Sequence, residues 1–434
     1  MMELKKYKLE EIAQIYNGST PSTEDSSNYD GAIIWATPKD LSDQQSKYFY
    51  QGARNITQKG FDSCSTQLIP ANNILMSSRA PIGLFAINKV DCCTNQGFKN
   101  IVLDKSIADV DYMYYFLKYH VKEIEALGSG TTFKEVSKTS FEKFEIAIPL
   151  LSVQRKISSI LSNLDSKISL NRKMNRTLEA MAKQLYDYWF VQFDFPFDFA
   201  QCKPDENGKP YKSSGGKMVW NEVLKREIPE GWEVKPLETF ISKNNTGDWG
   251  ADAPAKNQTL EVGCIRGADI VALSDLPKRY IKNNNESKLL SNWDMVIEVS
   301  GGSPTQSTAR CAYITPGVIE RNGGRITCSN FCHAFSFKDY HDSAYFFFTW
   351  KLFYDNDIMF NYEGKTSGIK NFMTETFLAN EWTKPPKPLI DVFFEQIKTI
   401  YAKIDNSIAE ITTLTRQRDE LLPLLMNGQV EVWE

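Results

Sequence analysis

The sequence predicts an α+β fold: two mostly-β domains separated by two long antiparallel coiled-coil helices, the whole forming a pseudo-twofold internal repeat. Three observations predict it. Ile157, Ile160, Leu164, Asp165 and Ile168 recur as Ile397, Ile400, Ile404, Asp405 and Ile408, each 240 positions on (397 − 157). Both copies step their apolar residues by three or four, close to the period of about 3.5 that keeps a narrow seam on one side of a helix. The chain before each copy consists of short segments rich in Ile, Val, Phe and Tyr, broken by Gly, Pro and Asn, the pattern of strands and turns.

In chain order, residues 1–149 form the first β-rich domain. Its elements have counterparts further on. Leu9 and Ile12 answer Leu237 and Phe240; IIWATPKDL, ending at Asp40 and Leu41, answers VGCIRGADI, ending at Asp269 and Ile270. NNILMSSR (72–79) answers WDMVIEVS (293–300), and GSGTTFKEV (128–136) answers GKTSGIKNF (364–372). Elements are kept while connecting loops change length, as in a scaffold whose loops carry specificity. Each domain holds one aromatic helix, DYMYYFLKYHVKEIEAL or SAYFFFTWKLFYDNDIMF, read as core.

A proline step, Ile148-Pro149 or the run Lys384 to Pro388, ends each domain and suits a helix entry. The first spacer helix covers 150–192, with seam residues Ile157, Ile160, Leu164, Ile168, Met174, Met181 and Leu185. A Pro-, Gly- and Lys-rich connector follows over 193–230, its aromatic start packing onto a neighbour. The second domain spans 231–387. The second spacer helix covers 388–427, with seam residues Ile397, Ile400, Ile404, Ile408, Leu414, Leu421 and Leu425, and a tail occupies 428–434. Two equal apolar seams in one chain pair most simply with each other; the other reading packs each helix on its own domain. Asn171 and Arg418 fall on the seam, where polar residues set register at a cost in stability.

A chain of 434 residues and net charge −4 is long enough for two or three full cores, and a global charge this small neither supports nor excludes nucleic acid. The charged start and the lack of any apolar run of about 18 residues lead to the expectation of a cytoplasmic protein. Among the eight cysteines, Cys328 and Cys332 beside His333 come nearest to a metal cluster, but a tetrahedral site needs two more ligands; buried reduced thiols, with no metal, are the expectation. Catalytic patterns fail. No (D/N/S)-P-P-(Y/F/W) tetrad for a flipped base is present, since the one Pro-Pro is flanked by Lys384 and Lys387. Gly364-Lys365-Thr366 lacks the earlier glycine of a P-loop, at Met359. No catalytic residue is expected.

Domain, helix, domain, helix, with proline-led helices and the connector Lys225 to Trp232 (KREIPEGW), closely resembles the specificity subunits of type I restriction–modification systems. GSGTTFKEVSKTSFEKFEIAIPLLSVQRKI is similar to that family's passage from recognition domain to central helix. The resemblance covers essentially the whole chain. It implies two target-recognition domains, each reading half of a split double-stranded DNA target. It further implies spacer helices that dock two copies of an adenine-N6 methyltransferase subunit, which itself binds S-adenosylmethionine while this chain binds no cofactor. A translocating restriction (nuclease) subunit completes some such complexes. A modification-only or phage-exclusion system, and more distantly a protein-binding coiled-coil scaffold, are the other readings.

Residue chemistry on the paired loops supplies DNA-contact candidates. In the first domain these are Lys39, Ser77, Ser78, Arg79, Asn95, Gln96, Lys99, Thr131, Thr132 and Lys134. In the second they are Arg266, Ser300, Ser303, Thr305, Gln306, Arg310, Ser329, Asn330, Lys365, Ser367 and Lys370. Arg and Lys suit guanine edges or phosphates, Asn and Gln suit adenine, and hydroxyls suit phosphates. Arg79 has no arginine counterpart, Ser300 standing in its place, so the two halves are expected to read DNA differently.

Overall fold

The computed structural model of the chain describes residues 3–44, 46–79, 81–130, 134–198, 203–204, 209–301, 305–366 and 369–430. It divides into two units, Met1–Leu170 with Ile411–Glu434, and Asn171–Glu410. Each unit therefore contains one β-rich head and one stretch of each long helix.

In unit one, a five-stranded sheet runs in the order Ala13–Asn17, Phe98–Leu103, Ile74–Ser77, Phe85–Asn88, Tyr48–Phe49. The edge strand Ala13–Asn17 alternates buried and exposed residues, whereas the central Ile74–Ser77 is buried throughout, so its sequence is a continuous apolar run ending in serine. A second sheet centres on Tyr29–Ala36, antiparallel to Arg54–Ile56 and parallel to Cys93–Thr94. The ribbon Lys5–Lys8 with Glu145–Ile148 ties the start of the head to its end. Asp109 caps the helix Val110–Tyr119, whose aromatic side chains Tyr112, Tyr115 and Phe116 are core.

Unit two repeats this topology except for the fifth strand, Tyr48–Phe49, of the main sheet. Its four-stranded sheet runs Ile241–Thr246, Cys332–Phe337, Met295–Glu298, Cys311–Tyr313, and again the central strand, MVIE, is fully buried. Leu260–Ile265 lies antiparallel to Lys278–Ile281 and parallel to Ile326–Cys328, as Tyr29–Ala36 does with its two neighbours. Glu233–Pro236 with Glu381–Lys384 forms the matching ribbon. The helix Asp342–Asp355 packs an aromatic cluster around Tyr345 and Trp350. A π turn, Asp187–Val191, delivers Trp189 and Phe190 into that cluster, and the connector adds Phe193 and Phe195. Phe199 and residues 205–208 of the connector lie outside the described residues, as does the side chain of Phe197.

The long helices are Leu151–Tyr186 and Lys387–Met426. In unit one, Arg418 bonds Asp165 at 2.8 Å while Ile157 and Leu161 share a core with Leu425 and Met426. In unit two, Asn171 bonds Glu410 at 2.9 Å while Tyr186 meets Phe393. One index falls as the other rises, so the helices pair antiparallel within each unit. Gln154, Ile157, Leu161, Ile168, Asn171 and Ala182 are buried on the first helix, and Phe393, Ile397, Ile404, Ser407, Leu414 and Leu425 on the second. These steps of three, four, seven and eleven, the last being seven plus four, match the heptad period.

The seam is placed one residue later on the first helix than three of the expected positions. Ile160, Met174 and Met181 are 37%, 42% and 52% exposed, while Leu161 and Ala182 are buried and Asn175 is half-buried. Adjacent residues of a helix point about 100° apart. The seam is thus taken by Leu161 beside Ile160, and by a polar or smaller neighbour, Asn175 or Ala182, beside Met174 and Met181.

Candidate nucleic-acid interface

At one end of each main sheet the strands run out into loops, and both heads build these loops to one plan. Asn95 donates its backbone N–H to Ala36 O, and Ser329 does the same to Ile265 O. Gly18 and Gly247 pass so close to the backbone after the Cys93–Thr94 and Ile326–Cys328 strands that an added Cβ would lie 2.0 or 2.1 Å from a carbonyl oxygen. Only glycine fits. Asp40 and Asp269 each accept the N–H of the residue three earlier, Thr37 or Arg266, closing the loop that follows the parallel strand.

The loop after the central strand pairs with the late loop in the same register in both heads. Arg79 bridges Glu135, and Ser300 pairs with Asn371. Val136 N–H bonds Ser78 O at 3.0 Å, and Phe372 N–H bonds Val299 O at 2.8 Å. In head one these loops border an open groove of about 740 Å³, lined among others by Asn17, Ser19, Gln96, Lys99, Ser129 and Glu135. Its walls are polar, and hydroxyls, amides and backbone N–H groups are the groups that hold phosphates.

Within this frame the candidates fall into distinct positions. In head one, Lys39, Gln96 and Lys134 are exposed, and Arg79 is half-buried with no ion pair among the described residues. Asn95 uses its side-chain oxygen to accept Gly97 N–H at 2.9 Å, and Gln96 accepts from Thr20. Lys99 is buried at the groove floor, its ammonium 3.1 Å from Glu135 and 3.4 Å from Ser78. Ser77 and Ser78 are fully buried. The Ser77 hydroxyl donates to Pro81 O and accepts from Leu84 N–H, so it holds the loop rather than facing outward.

In head two, Thr305, Gln306 and Asn330 are exposed, Asn330 also accepting Trp249 N–H at 3.0 Å. Arg266 is exposed yet grips Asp269 with two bonds of 2.8 Å, which hold that carboxyl below its usual range. Ser300 donates to Asn371 at 2.5 Å. Three further candidates differ from the expectation because partners invisible in the local sequence engage them. Arg310 makes two bonds to the buried Glu298, at 2.8 and 2.9 Å, and a third to Gly267 O. Lys370 pairs with Glu363 at 2.8 Å, and Ser329 is 2% exposed against Cys332. Thr131, Thr132, Ser303 and Ser367, and the side chain of Lys365, lie outside the described residues.

Register also exposes what loop-by-loop reading missed. Lys99 is matched by His333, whose pKa burial lowers. Gly97 is matched by Phe331, 58% exposed at the tip of its turn. Counting forward from the parallel strand pairs Trp35–Cys93 and Cys264–Thr327, four residues on in each head, gives this match. Burial pushes the thiol of Cys328 far up and that of Cys332 up to about 11, and Cys328 Sγ–H points to Cys332 O at 3.7 Å. These are packed neutral thiols. Asp339, His341 and Asp391 gather at the surface of unit two, where the Lys387 ammonium sits between the carboxylates, 2.6 Å from Asp339.

The comparisons with known proteins agree with this architecture. Residues 1–180 match the family model of the type I restriction modification DNA specificity domain. The chain is 29% identical to the MjaIX type I restriction enzyme specificity subunit of Methanocaldococcus jannaschii, covering 98% of this chain and 93% of that protein. It is 23% identical to the HindI specificity subunit of Haemophilus influenzae over 72% of this chain and 74% of that one. A crystal structure of a type I system S subunit from M. genitalium shares the fold with a TM-score of 0.55 at 14% identity, covering 98% and 96% of the two chains. Residues 1–180 thus match the type I DNA specificity domain, and over nearly its whole length the duplicated chain is similar to the specificity subunits of type I restriction–modification systems.

Proposed function

We propose that this chain is the non-catalytic DNA-reading subunit of its complex. Its two heads read the halves of a bipartite, non-palindromic target and direct adenine-N6 methylation, and restriction, by partner subunits. The observation that carries this reading is the strand-end platform built twice in one register with different side chains on it. Arg79, Gln96 and Gly97 occupy the positions that Ser300, Asn330 and Phe331 occupy in the other head. A common frame with exchanged chemistry suits two sites of one kind that read different sequences. Phosphate contacts come from hydroxyls, amides and the exposed lysines, and base contacts from the side chains that differ.

The partner methyltransferase, in two copies, supplies S-adenosylmethionine and the chemistry. Met174 and Met181, left exposed by the helix pairing, give it an apolar surface on the first helix. Restriction subunits join that complex in turn. A footprint of the chain with its methyltransferase tests the reading: two protected patches separated by unprotected base pairs are expected. A single patch, or none, contradicts it.

A further inference from the structure

One matched pair of positions separates the heads more sharply than any charge does. In head one the turn Asn95–Phe98 closes through Phe98 N–H to Asn95 O at 3.3 Å, and Gly97 stands third in it. The Gly97 carbonyl accepts Ser78 N–H at 2.7 Å. In head two the turn Ser329–Cys332 closes at 2.9 Å, and Phe331 stands third. Its carbonyl accepts two donors, Val299 N–H at 2.8 Å and Ser300 N–H at 3.2 Å. The backbone of Phe331 is thereby fixed to the strand-end loop, while its ring is 58% exposed.

The residue that faces this position differs between the heads as well. A Cβ on Gly97 would lie 2.9 Å from Pro38 Cγ and 3.0 Å from Asn95 Oδ1, so the Pro38 ring closes this space in head one. The residue matching Pro38 is Gly267, one after Arg266 as Pro38 is one after Thr37. In head two the matched positions carry Gly267 and Phe331, and the space a Cβ on Gly267 would take is filled by the Glu298 carboxylate, 2.6 Å away. A single exposed phenylalanine is ordinary on a protein surface. One whose backbone is held by two hydrogen bonds, beside the exposed Asn330, is a rigid apolar group on a polar platform.

We propose that Phe331 is a specificity-determining residue of the second head, its ring making apolar contact with a base of that half-site, with no counterpart in head one. This rests on the DNA-reading function proposed above. The contact is either with the 5-methyl group of thymine in the major groove or with the face of a partly unstacked base. Nothing covalent is involved, and a neutral ring releases no counterions, so its removal leaves the salt dependence of binding unchanged.

The test uses the full chain in complex with its methyltransferase and duplexes carrying the methylated target. Phe331→Ala is expected to lower affinity about tenfold and to relax one position in the second half only, with the first half and the salt slope as in wild type. Phe331→Leu should restore part of the loss. Replacing each thymine of that half by uracil distinguishes the two contacts. Wild type weakened at one uracil, with no such effect in Phe331→Ala, supports the methyl contact; a wild-type-only rise in 2-aminopurine fluorescence at one step supports unstacking. Wild type discriminating in both halves, with Phe331→Ala equal to it at every position, overturns the inference alone. Wild type showing no sequence preference overturns the DNA-reading function and this inference together.

Discussion

Asp405, one of the residues that repeats at 240, fastens the second long helix to its head, and the strength of that joint can be worked out. Its carboxylate accepts from Thr315 Oγ1 at 2.9 Å, Gly317 N–H at 3.2 Å and Arg321 Nη1 at 2.9 Å. The side chains of Arg321 and Asp405 are only 19% and 13% exposed. Asp405→Ala removes all three contacts and leaves the guanidinium with Leu273 O at 3.1 Å. Deleting one partner of a buried pair costs about 3–5 kcal/mol, and the residual exposure here reduces that to about 3 kcal/mol. For a unit of this size each kcal/mol moves Tm by about 2–4 °C, so a fall of about 6–12 °C is expected for unit two. Asp405→Asn keeps an oxygen for Thr315 and Gly317 but not the ion pair, and should fall about half as far. Gly317→Ala should destabilise the same joint from the other side, because its Cβ would come within 2.4 Å of Asp405 Cγ. Calorimetry gives the shift, and hydrogen exchange localises it: protection should drop in Asn171–Glu410 and hold in the other unit. An Asp405→Ala protein melting with wild type, or losing protection equally in both units, would refute the reasoning.

Three further outcomes are expected. Arg79→Ala should cost about 1–3 kcal/mol and relax one position of the first half-site if the guanidinium reads a base, or weaken all sequences alike and lower the salt slope if it holds a phosphate; unchanged binding assigns it no role in recognition. Burial raises the Asp342 carboxyl to about 6, so the folded state takes up its proton before the unfolded chain does. Its contribution is therefore favourable at low pH and lost as pH rises from about 4 to about 6, by on the order of 2 kcal/mol. Asp342→Asn should accordingly be more stable than wild type at neutral pH and lack this part of the slope in urea midpoints; parallel profiles would contradict the assignment. If the helices set the gap between half-sites, four residues added after Asn171 and four after Ile411 lengthen each by about 6 Å and should widen the preferred gap by nearly two base pairs, whereas an unchanged methylation gap would remove the ruler.

Much of this architecture was legible because duplication lets one half of a sequence explain the other. The long helices announced themselves through an ungapped repeat at a spacing of 240 residues, and the alignment of Arg79 with Ser300 put the two strand-end loops in one register, while their pairing with the late loops is seen only in the structure. The phase of the helix seam was not legible. Ile160, Met174 and Met181 are better apolar residues than Leu161's companions Asn175 and Ala182, and only packing shows that the smaller neighbours face inward. The candidate interface was legible in its loops but not in its side chains. Arg310 and Lys370 look free in sequence because Glu298 and Glu363 reach them from other strands, and Ser77 looks like a loop hydroxyl until its strand proves central. Phe331 escaped notice because a search for polar readers passes over an aromatic residue, and its significance depends on knowing that Gly97 stands opposite in the register.

The most direct test of the central claim, that two differently equipped heads read two halves of one target, is a map of adenine methylation. It would be made in DNA exposed to the chain with its methyltransferase, for wild type and for variants in one head at a time. The account predicts a split, non-palindromic motif in which Arg79→Ala alters only one half and Phe331→Ala only the other. A continuous or palindromic motif, or variants of either head altering both halves alike, would contradict it.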